Sequence, residues 1–128
     1  MTISHVQLFS IPVSDQDRAA AFYRDVLGFT VLEDQQMGPG MRWVRLGLDG
    51  AATSITLVTW FDSMPAGSLR GLVLGTDDLE AMILHLDSSG VAVSAPQSQP
   101  WGRFVQIADP DGNGIIIQTA PEERTAAR

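Results

Sequence analysis

Apolar residues recur at two spacings along this chain: every second position in some segments, every third or fourth in others. Residues 3–13 alternate and predict a β-strand. The next apolar residues lie at helical spacing and predict one amphipathic helix, formed by Ala19, Phe22, Tyr23, Val26 and Leu27. Ser14 or Asp15 is suited to cap the start of this helix, and Gly28 is suited to end it.

Further strands follow this helix, and the same order of elements then occurs a second time. In the first half, one strand is predicted to begin at residue 29, and two more are predicted at residues 42–48 and 53–61. In the second half, they are predicted at 69–74, 91–95, 101–108 and 114–119. The second helical stripe consists of Leu79, Met82, Ile83 and Leu86. Each half therefore has the order β-α-β-β-β.

The repetition is the main argument for a fold class. The capping residues Asp15 and Asp78 are 63 positions apart, and the helix-ending residues Gly28 and Gly90 are 62 apart, about half of the 128-residue chain. Two copies of one unit indicate a tandem architecture. We predict an α+β fold in which two β-α-β-β-β units form curved mixed sheets around a concave cup, with the helices on the outer face.

The segment boundaries follow from composition. The first unit is predicted to span residues 1–61 and the second 69–120. Residues 62–68, which are rich in small residues and proline, are predicted to link the two. Residues 121–128 lack an apolar pattern and are predicted to be a loose C-terminal tail. We expect one structural domain overall.

Strand parity predicts which side chains face the helices and which face the cup. Val44, Leu57, Leu72 and Ile117 are predicted to face the helices. The predicted cup residues of the strands are Leu8, Ser10, Trp43, Arg45, Thr56, Val58, Gly71, Val73, Phe104, Gln106, Ile116 and Gln118. None of these cup residues is Asp, Glu, His or Lys, whereas general acid–base catalysis requires a titratable group.

Composition narrows the possible partners. Eight basic and fifteen acidic residues give a net charge of −7, which disfavours binding to nucleic acid. No apolar run approaches the roughly 20 residues needed to span a bilayer, and no signal peptide is evident, so we expect a cytoplasmic protein with no membrane partner. The chain has no cysteine, which excludes disulfides, thiolate metal ligands and cysteine nucleophiles.

Three segments resemble a known superfamily. They are PVSDQDRAAAFYRDVLGF, RWVRL, and DPDGNGIIIQ after an aromatic strand. Over residues 5–119 the chain resembles the vicinal-oxygen-chelate superfamily, which includes glyoxalase I, extradiol dioxygenases, fosfomycin-modifying enzymes and bleomycin-resistance proteins. The resemblance supports the predicted fold and implies a homodimer. It does not define an activity, because this fold supports both enzymes and non-catalytic binders.

The resemblance also implies where a metal would be held. Metal-dependent members use four cup-facing His, Glu or Gln side chains, and the equivalent positions here are Leu8, Thr56, Gly71 and Ile116. Only the Thr hydroxyl could contact a metal, and weakly. We therefore expect no metal and no other cofactor, and the chain is most similar to the metal-free members.

The remaining candidates for chemistry have structural interpretations. His5 has the wrong parity for the cup, although a bulge near residues 10–12 could reverse it, and His85 lies on the polar flank of the second helix. Tyr23 is predicted to pack in the core. Glu33, Asp34 and Asp49 are assigned to strand ends or turns. The DPDGN segment is interpreted as a turn because it is too short for a calcium loop.

The cup offers flat apolar surface with few polar groups. Trp43, Trp60 and Trp101 are predicted to lie on or beside strands, with Phe104 nearby, and would suit a planar ligand. Arg45 would neutralise an anionic group or stack on a ring. The alternative for the tryptophans is that they seal strand ends or a subunit interface.

The leading hypothesis is metal-independent binding of an aromatic or polycyclic small molecule, as in bleomycin-resistance-type proteins. The alternatives are a glyoxalase-type lyase, isomerase or dioxygenase of the same fold, or an accessory subunit that docks a partner. The catalytic residues, if any, stay unassigned. The predicted ligand-binding residues are Leu8, Ser10, Trp43, Arg45, Thr56, Val58, Trp60, Gly71, Trp101, Phe104, Gln106, Ile116 and Gln118.

Overall fold

The computed structural model describes residues 2–119 and has two four-stranded mixed sheets, each with one helix, which confirms the α+β prediction. The predicted tail at residues 121–128 lies outside the described residues. The strands are β1 (Leu8–Pro12), β2 (Thr30–Gly38), β3 (Met41–Gly47), β4 (Ser54–Val58), β5 (Leu72–Thr76), β6 (Gln97–Gln99), β7 (Gly102–Ala108) and β8 (Gly114–Thr119). The helices are α1 (Gln16–Ala21), which continues into a π-helical turn at Phe22–Val26, and α2 (Leu79–Ser88). Within residues 2–119, neither helix is long and apolar enough to cross a membrane.

The chain divides into two compact units. Within the described residues, the first consists of residues 2–69 with the distant segment Asp109–Asn113, and the second of Arg70–Ala108 with residues 114–119. The first unit has the sheet order β1-β4-β3-β2, in which β1 and β4 are parallel and the other neighbours antiparallel. All five residues of β4 are buried, as expected for an interior strand.

Helix α1 covers one face of the first sheet. The Asp15 carboxylate caps it by accepting a hydrogen bond from the Arg18 backbone N–H at 3.1 Å. Ala19 and Tyr23 are fully buried. The buried Gln16 amide donates to the Leu57 carbonyl at 2.8 Å and so ties the helix to β4. The sequence predicts one regular helix here. In the structure, the last turn of this helix, Phe22–Val26, has the wider π geometry.

The segment Asp109–Asn113 completes the first unit. Asp109 Oδ1 accepts hydrogen bonds from the backbone N–H groups of Asp111 and Asn113, which confirms the predicted turn. The fully buried Asn113 side chain donates to the Pro12 carbonyl at 2.9 Å and accepts from the Leu69 N–H at 3.0 Å. These bonds fasten the segment beside β1.

The second unit repeats the arrangement with the sheet order β5-β8-β7-β6. Strands β5 and β8 are parallel, and β7 is antiparallel to its two neighbours. The Asp78 carboxylate caps α2 by accepting from the Ala81 N–H at 3.0 Å. Leu79 and Leu86 of α2 are buried, as is Ile117 of the sheet.

One strand prediction is wrong in position. Residues 91–95 are not a strand, and the edge strand is instead β6, Gln97–Gln99. Ser94 explains the shift, because its hydroxyl accepts the Gln106 N–H at 2.8 Å while its own N–H donates to the Gln106 carbonyl. A side chain thus replaces the carbonyl that a regular ladder would supply.

Candidate functional site

The register of the first sheet confirms the predicted parity. Val44 and Leu57 are opposite each other and buried on the helix-facing side. The opposite side, which we call the distal face of the first sheet, carries the side chains of Leu8, Ser10, Trp43, Arg45, Ser54, Thr56, Val58 and Glu33. One row of direct neighbours crosses all four strands in the order Ser10, Thr56, Arg45 and Glu33.

A polar network links β2, β3 and β4 on this face. Glu33 Oε1 accepts hydrogen bonds from Arg45 Nε at 2.7 Å and from Trp43 Nε1 at 3.1 Å. Arg45 Nη1 also donates to Ser54 Oγ at 3.3 Å. The hydrogen bonds from Arg45 and Trp43 lower the pKa of the Glu33 carboxyl below its usual value. The network therefore fixes the guanidinium and the indole relative to each other.

The accessibility of the predicted ligand-binding residues differs along this face. Thr56 and Val58 are 0% and 1% exposed, and the Thr56 hydroxyl is hydrogen-bonded to the Ser10 hydroxyl at 2.8 Å. Leu8, Ser10, Trp43 and Arg45 are half-buried. A molecule that approached this face would therefore meet these four side chains before it met Thr56 or Val58.

Glu33 is the residue that the sequence reasoning missed. It lies inside the nine-residue strand β2 rather than at a strand end. Val31 is opposite Leu46 and Glu33 is opposite Arg45, so Leu32 is an extra residue between two successive pairs. This β-bulge reverses the parity of β2 and places a carboxylate on the distal face, where none was expected. No sequence signal marks the bulge.

Strand pairing does not place Trp60 on the distal face. It lies two positions after Val58, where β4 ends, so the strand register does not assign its side chain to a face. Its ring packs edge-on against Phe61, with centroids 5.9 Å apart and an interplanar angle of 80°. This contact fits the alternative in which Trp60 covers a strand end.

The second unit contains a cavity of about 260 Å³. Three predicted ligand-binding residues, Gly71, Gln106 and Ile116, contribute to its wall, together with Arg70, Ile107, Gly114 and Ile115. Gln106 and Ile116 are direct neighbours on β7 and β8. Gly71 has a φ of +95°, which favours glycine, and a side chain there would meet no atom within 4 Å.

An aromatic pair lies on the same face of the second sheet as Gln106. Trp101 and Phe104 are stacked, with centroids 5.2 Å apart and an interplanar angle of 17°. Phe104 is opposite Gln118, so the ring stack and the strand register together place three more of the predicted residues side by side. Phe104 is buried, whereas Trp101 is 42% exposed and presents ring surface to solvent.

The residues present do not fit a metal centre. The four positions implied by the resemblance hold Leu8, Thr56, Gly71 and Ile116, and the Thr56 hydroxyl is already hydrogen-bonded. Within residues 2–119, no group of three or more His, Asp or Glu side chains is placed to share an ion. His5 precedes β1 and is exposed, with its Nδ1 hydrogen-bonded to Ser4. This donor set is unsuited to a divalent ion.

The comparison with known proteins identifies the family. The chain belongs to the Glyoxalase/Bleomycin resistance protein/Dioxygenase superfamily, whose sequence profile matches residues 2–117. Its structure is similar to that of TnmS3, an antibiotic binding protein from Streptomyces sp. CB03234. The two chains share 52% sequence identity with a TM-score of 0.89, and the match covers 94% of this chain and 98% of TnmS3.

Two further solved structures support the assignment. A glyoxalase/bleomycin resistance protein from Streptomyces sp. CB03234 is 49% identical with a TM-score of 0.80, over 89% of this chain and 99% of that one. A superfamily member from Sphaerobacter thermophilus is 33% identical with a TM-score of 0.86, over 93% of this chain and 99% of that one. The resemblance stated from the sequence motifs is therefore confirmed.

Proposed function

We propose that this protein binds a small, planar, mostly apolar organic molecule of the antibiotic type, and that it does so without a metal. The observation that carries the proposal is the arrangement of Trp43 and Arg45. Both side chains are half-buried on the distal face and are held by Glu33. A fixed indole beside a fixed guanidinium is suited to stacking against a flat ring.

The similar structures support the ligand class. TnmS3 is described as an antibiotic binding protein, and it shares 52% of its aligned residues with this chain. Because one fold supports many functions, this similarity strengthens the proposal only together with the side chains of the site.

The electrostatics favour binding over proton transfer. A general base works best when its pKa lies near the operating pH. Glu33 is the carboxylate closest to Trp43 and Arg45, and its hydrogen bonds with them lower its pKa. A carboxylate held ionised in this way is a poor proton acceptor and a good structural anchor.

The ligand-binding test compares Trp43→Ala with Trp43→Phe. With 2-naphthol as the probe and calorimetry as the readout, we expect Trp43→Ala to weaken binding by about tenfold or more, the size of one aromatic contact. Trp43→Phe retains a ring and should lose less. Leu84→Ala, at a surface position that is 71% exposed, is the matched control. Unchanged binding by Trp43→Ala would refute the stacking proposal.

Metal independence has its own test. The protein is purified without chelator, its metal content is measured, and it is then incubated with Mn, Fe, Ni or Zn. We expect no stoichiometric metal and no rise in the melting temperature. One tightly held ion per chain would contradict the proposal and favour the lyase or dioxygenase alternative.

We also propose that the protein is a homodimer. The support is the long strand β2 at one edge of the first sheet, which exposes Val31, Leu32 and Met37. Sedimentation equilibrium should give twice the mass of the chain. A monomer at all concentrations would refute the proposed homodimer.

A further inference from the structure

The distal face of the first sheet carries opposite charges in contact. Within the described residues 8–58, the strand positions paired on this face include two ionisable side chains, Arg45 and Glu33. They are direct cross-strand neighbours, and Arg45 Nε lies 2.7 Å from Glu33 Oε1. The side chains are 29% and 36% exposed, respectively. The face is therefore close to neutral, although it contains an arginine.

A second ion pair on the same two strands, Arg42 with Asp34, does not change the net charge of the distal face. Arg42 and Asp34 alternate with Arg45 and Glu33 along β3 and β2, so they belong to the other side of the sheet. Arg42 is paired with Asp34 at 2.8 Å and with Asp17 at 2.9 Å. Its charge is thus engaged by two carboxylates away from the distal face.

The bulge at Leu32 is what brings this neutralisation about. In a regular ladder Leu32 would be opposite Arg45, and an apolar neighbour would leave the guanidinium charge uncompensated. The extra residue advances β2 by one position, so that Glu33 takes the place opposite Arg45. The same carboxylate oxygen also orients the Trp43 indole. One backbone irregularity thus sets both the charge and the ring geometry.

We propose that this face selects uncharged planar ligands over anionic ones, and that Glu33 is the positioning residue that causes the selection by neutralising Arg45. This inference rests on the proposed function and specifies its ligand class. An anionic ligand would have to displace Glu33 from Arg45 or lie beside a like charge. An uncharged ring contacts the faces of the guanidinium and the indole and disturbs neither hydrogen bond.

The test uses two probes with the same ring system, 2-naphthol and 2-naphthoate, at pH 7. Calorimetry gives the ratio of their affinities for the wild type, Glu33→Gln and Glu80→Gln. The wild type should prefer 2-naphthol. Glu33→Gln retains an acceptor oxygen but removes the charge, so the ratio should shift toward 2-naphthoate by about tenfold, the difference between a charge-assisted and a neutral hydrogen bond. Glu80→Gln removes a carboxylate from the Arg103 pair of the second unit and should leave the ratio unchanged.

A second variant tests the opposite change. Arg45→Gln leaves the Glu33 charge uncompensated and should increase the preference for 2-naphthol. If both probes bind but neither variant changes the ratio, the inference is overturned while the proposed function stands. If neither probe binds the wild type, the inference and the proposed function are both overturned. A thermal melt of each variant verifies that the protein is folded during the measurement.

Discussion

The phenol of Tyr23 donates a hydrogen bond to Asp109 Oδ2 at 2.8 Å, although the two residues are 86 positions apart in the sequence. Tyr23 is 0% exposed and Asp109 is 5% exposed. The same carboxylate oxygen accepts from the Asn113 side chain at 2.8 Å. Tyr23 belongs to the FYRDVLGF segment and Asp109 begins DPDGN, so this bond joins the two motifs that most clearly indicated the family.

Tyr23→Phe should destabilise the first unit without adding a cavity. The substitution removes the phenolic donor and leaves a buried carboxylate with one partner fewer. We expect a loss of about 1–3 kcal/mol in the free energy of unfolding, measured by urea titration. Asp25→Asn, which breaks the exposed ion pair with Arg24, is the control and should have no measurable effect. An equally small effect of Tyr23→Phe would show that the bond does not stabilise the fold.

Tyr23 should also limit stability at high pH. Burial raises its pKa far above the usual value, with the negative charge of Asp109 and the hydrogen bond to it acting in the same direction. The folded state therefore favours the neutral phenol, and this contribution is present below the unfolded pKa of about 10 and declines as the pH rises above it.

The chain has one tyrosine, so tyrosinate absorbance reports on Tyr23 alone. In an alkaline titration we expect this absorbance to appear together with the loss of the native circular dichroism signal. Titration near pH 10 in a protein that is still folded would contradict the prediction.

Two glycines with the same backbone conformation should respond differently to alanine. Gly28 and Gly67 have φ values of +84° and +83°. A Cβ at Gly28 would meet no atom within 4 Å, whereas one at Gly67 would overlap the Asp111 carbonyl oxygen. Gly28→Ala should cost about 1 kcal/mol from backbone strain, and Gly67→Ala about 1–3 kcal/mol more from the overlap. Equal losses in urea unfolding would show that the Asp109–Asn113 turn moves aside freely.

The cavity of the second unit gives a further test of ligand binding. Because three predicted ligand-binding residues line this cavity, Ile116→Phe should fill part of it and reduce the affinity for 2-naphthol by about fivefold or more. Leu84→Phe, at a surface position of α2 that is 71% exposed and is not part of the cavity wall, is the matched control. Equal affinities of the two variants would exclude this cavity from the site.

Regular strands made much of this structure predictable. Val44, Leu57, Leu72 and Ile117 are buried on the helix-facing sides, as parity predicts. The same rule places Trp43 and Arg45 on the distal face. Period-2 alternation is a local property, so it can be followed in the sequence wherever the pairing continues without interruption.

The predictions failed where one residue breaks that alternation or where distant residues meet. The bulge at Leu32 decides the position of Glu33, and the Ser94 hydroxyl decides where the edge strand begins. The bond between Tyr23 and Asp109 depends on tertiary placement, which neither motif specifies alone. Each of these features belongs to pairing between segments rather than to a pattern within one segment.

The position of Asp109–Asn113 has a consequence for synthesis of the protein on the ribosome. Domains generally form as the chain emerges, with the N-terminal part first. The bonds from Tyr23 to Asp109 and from Asn113 to Pro12 join distant parts of the first unit. Both bonds can form only after residue 113 has been synthesised, which follows most of the second unit. Until then, the Tyr23 phenol of a nascent chain lacks its Asp109 partner, and the Pro12 carbonyl lacks the Asn113 side-chain donor, although it can accept from the Gly67 N–H at 3.3 Å. The N-terminal half therefore depends on continued translation for two of the hydrogen bonds that hold it together.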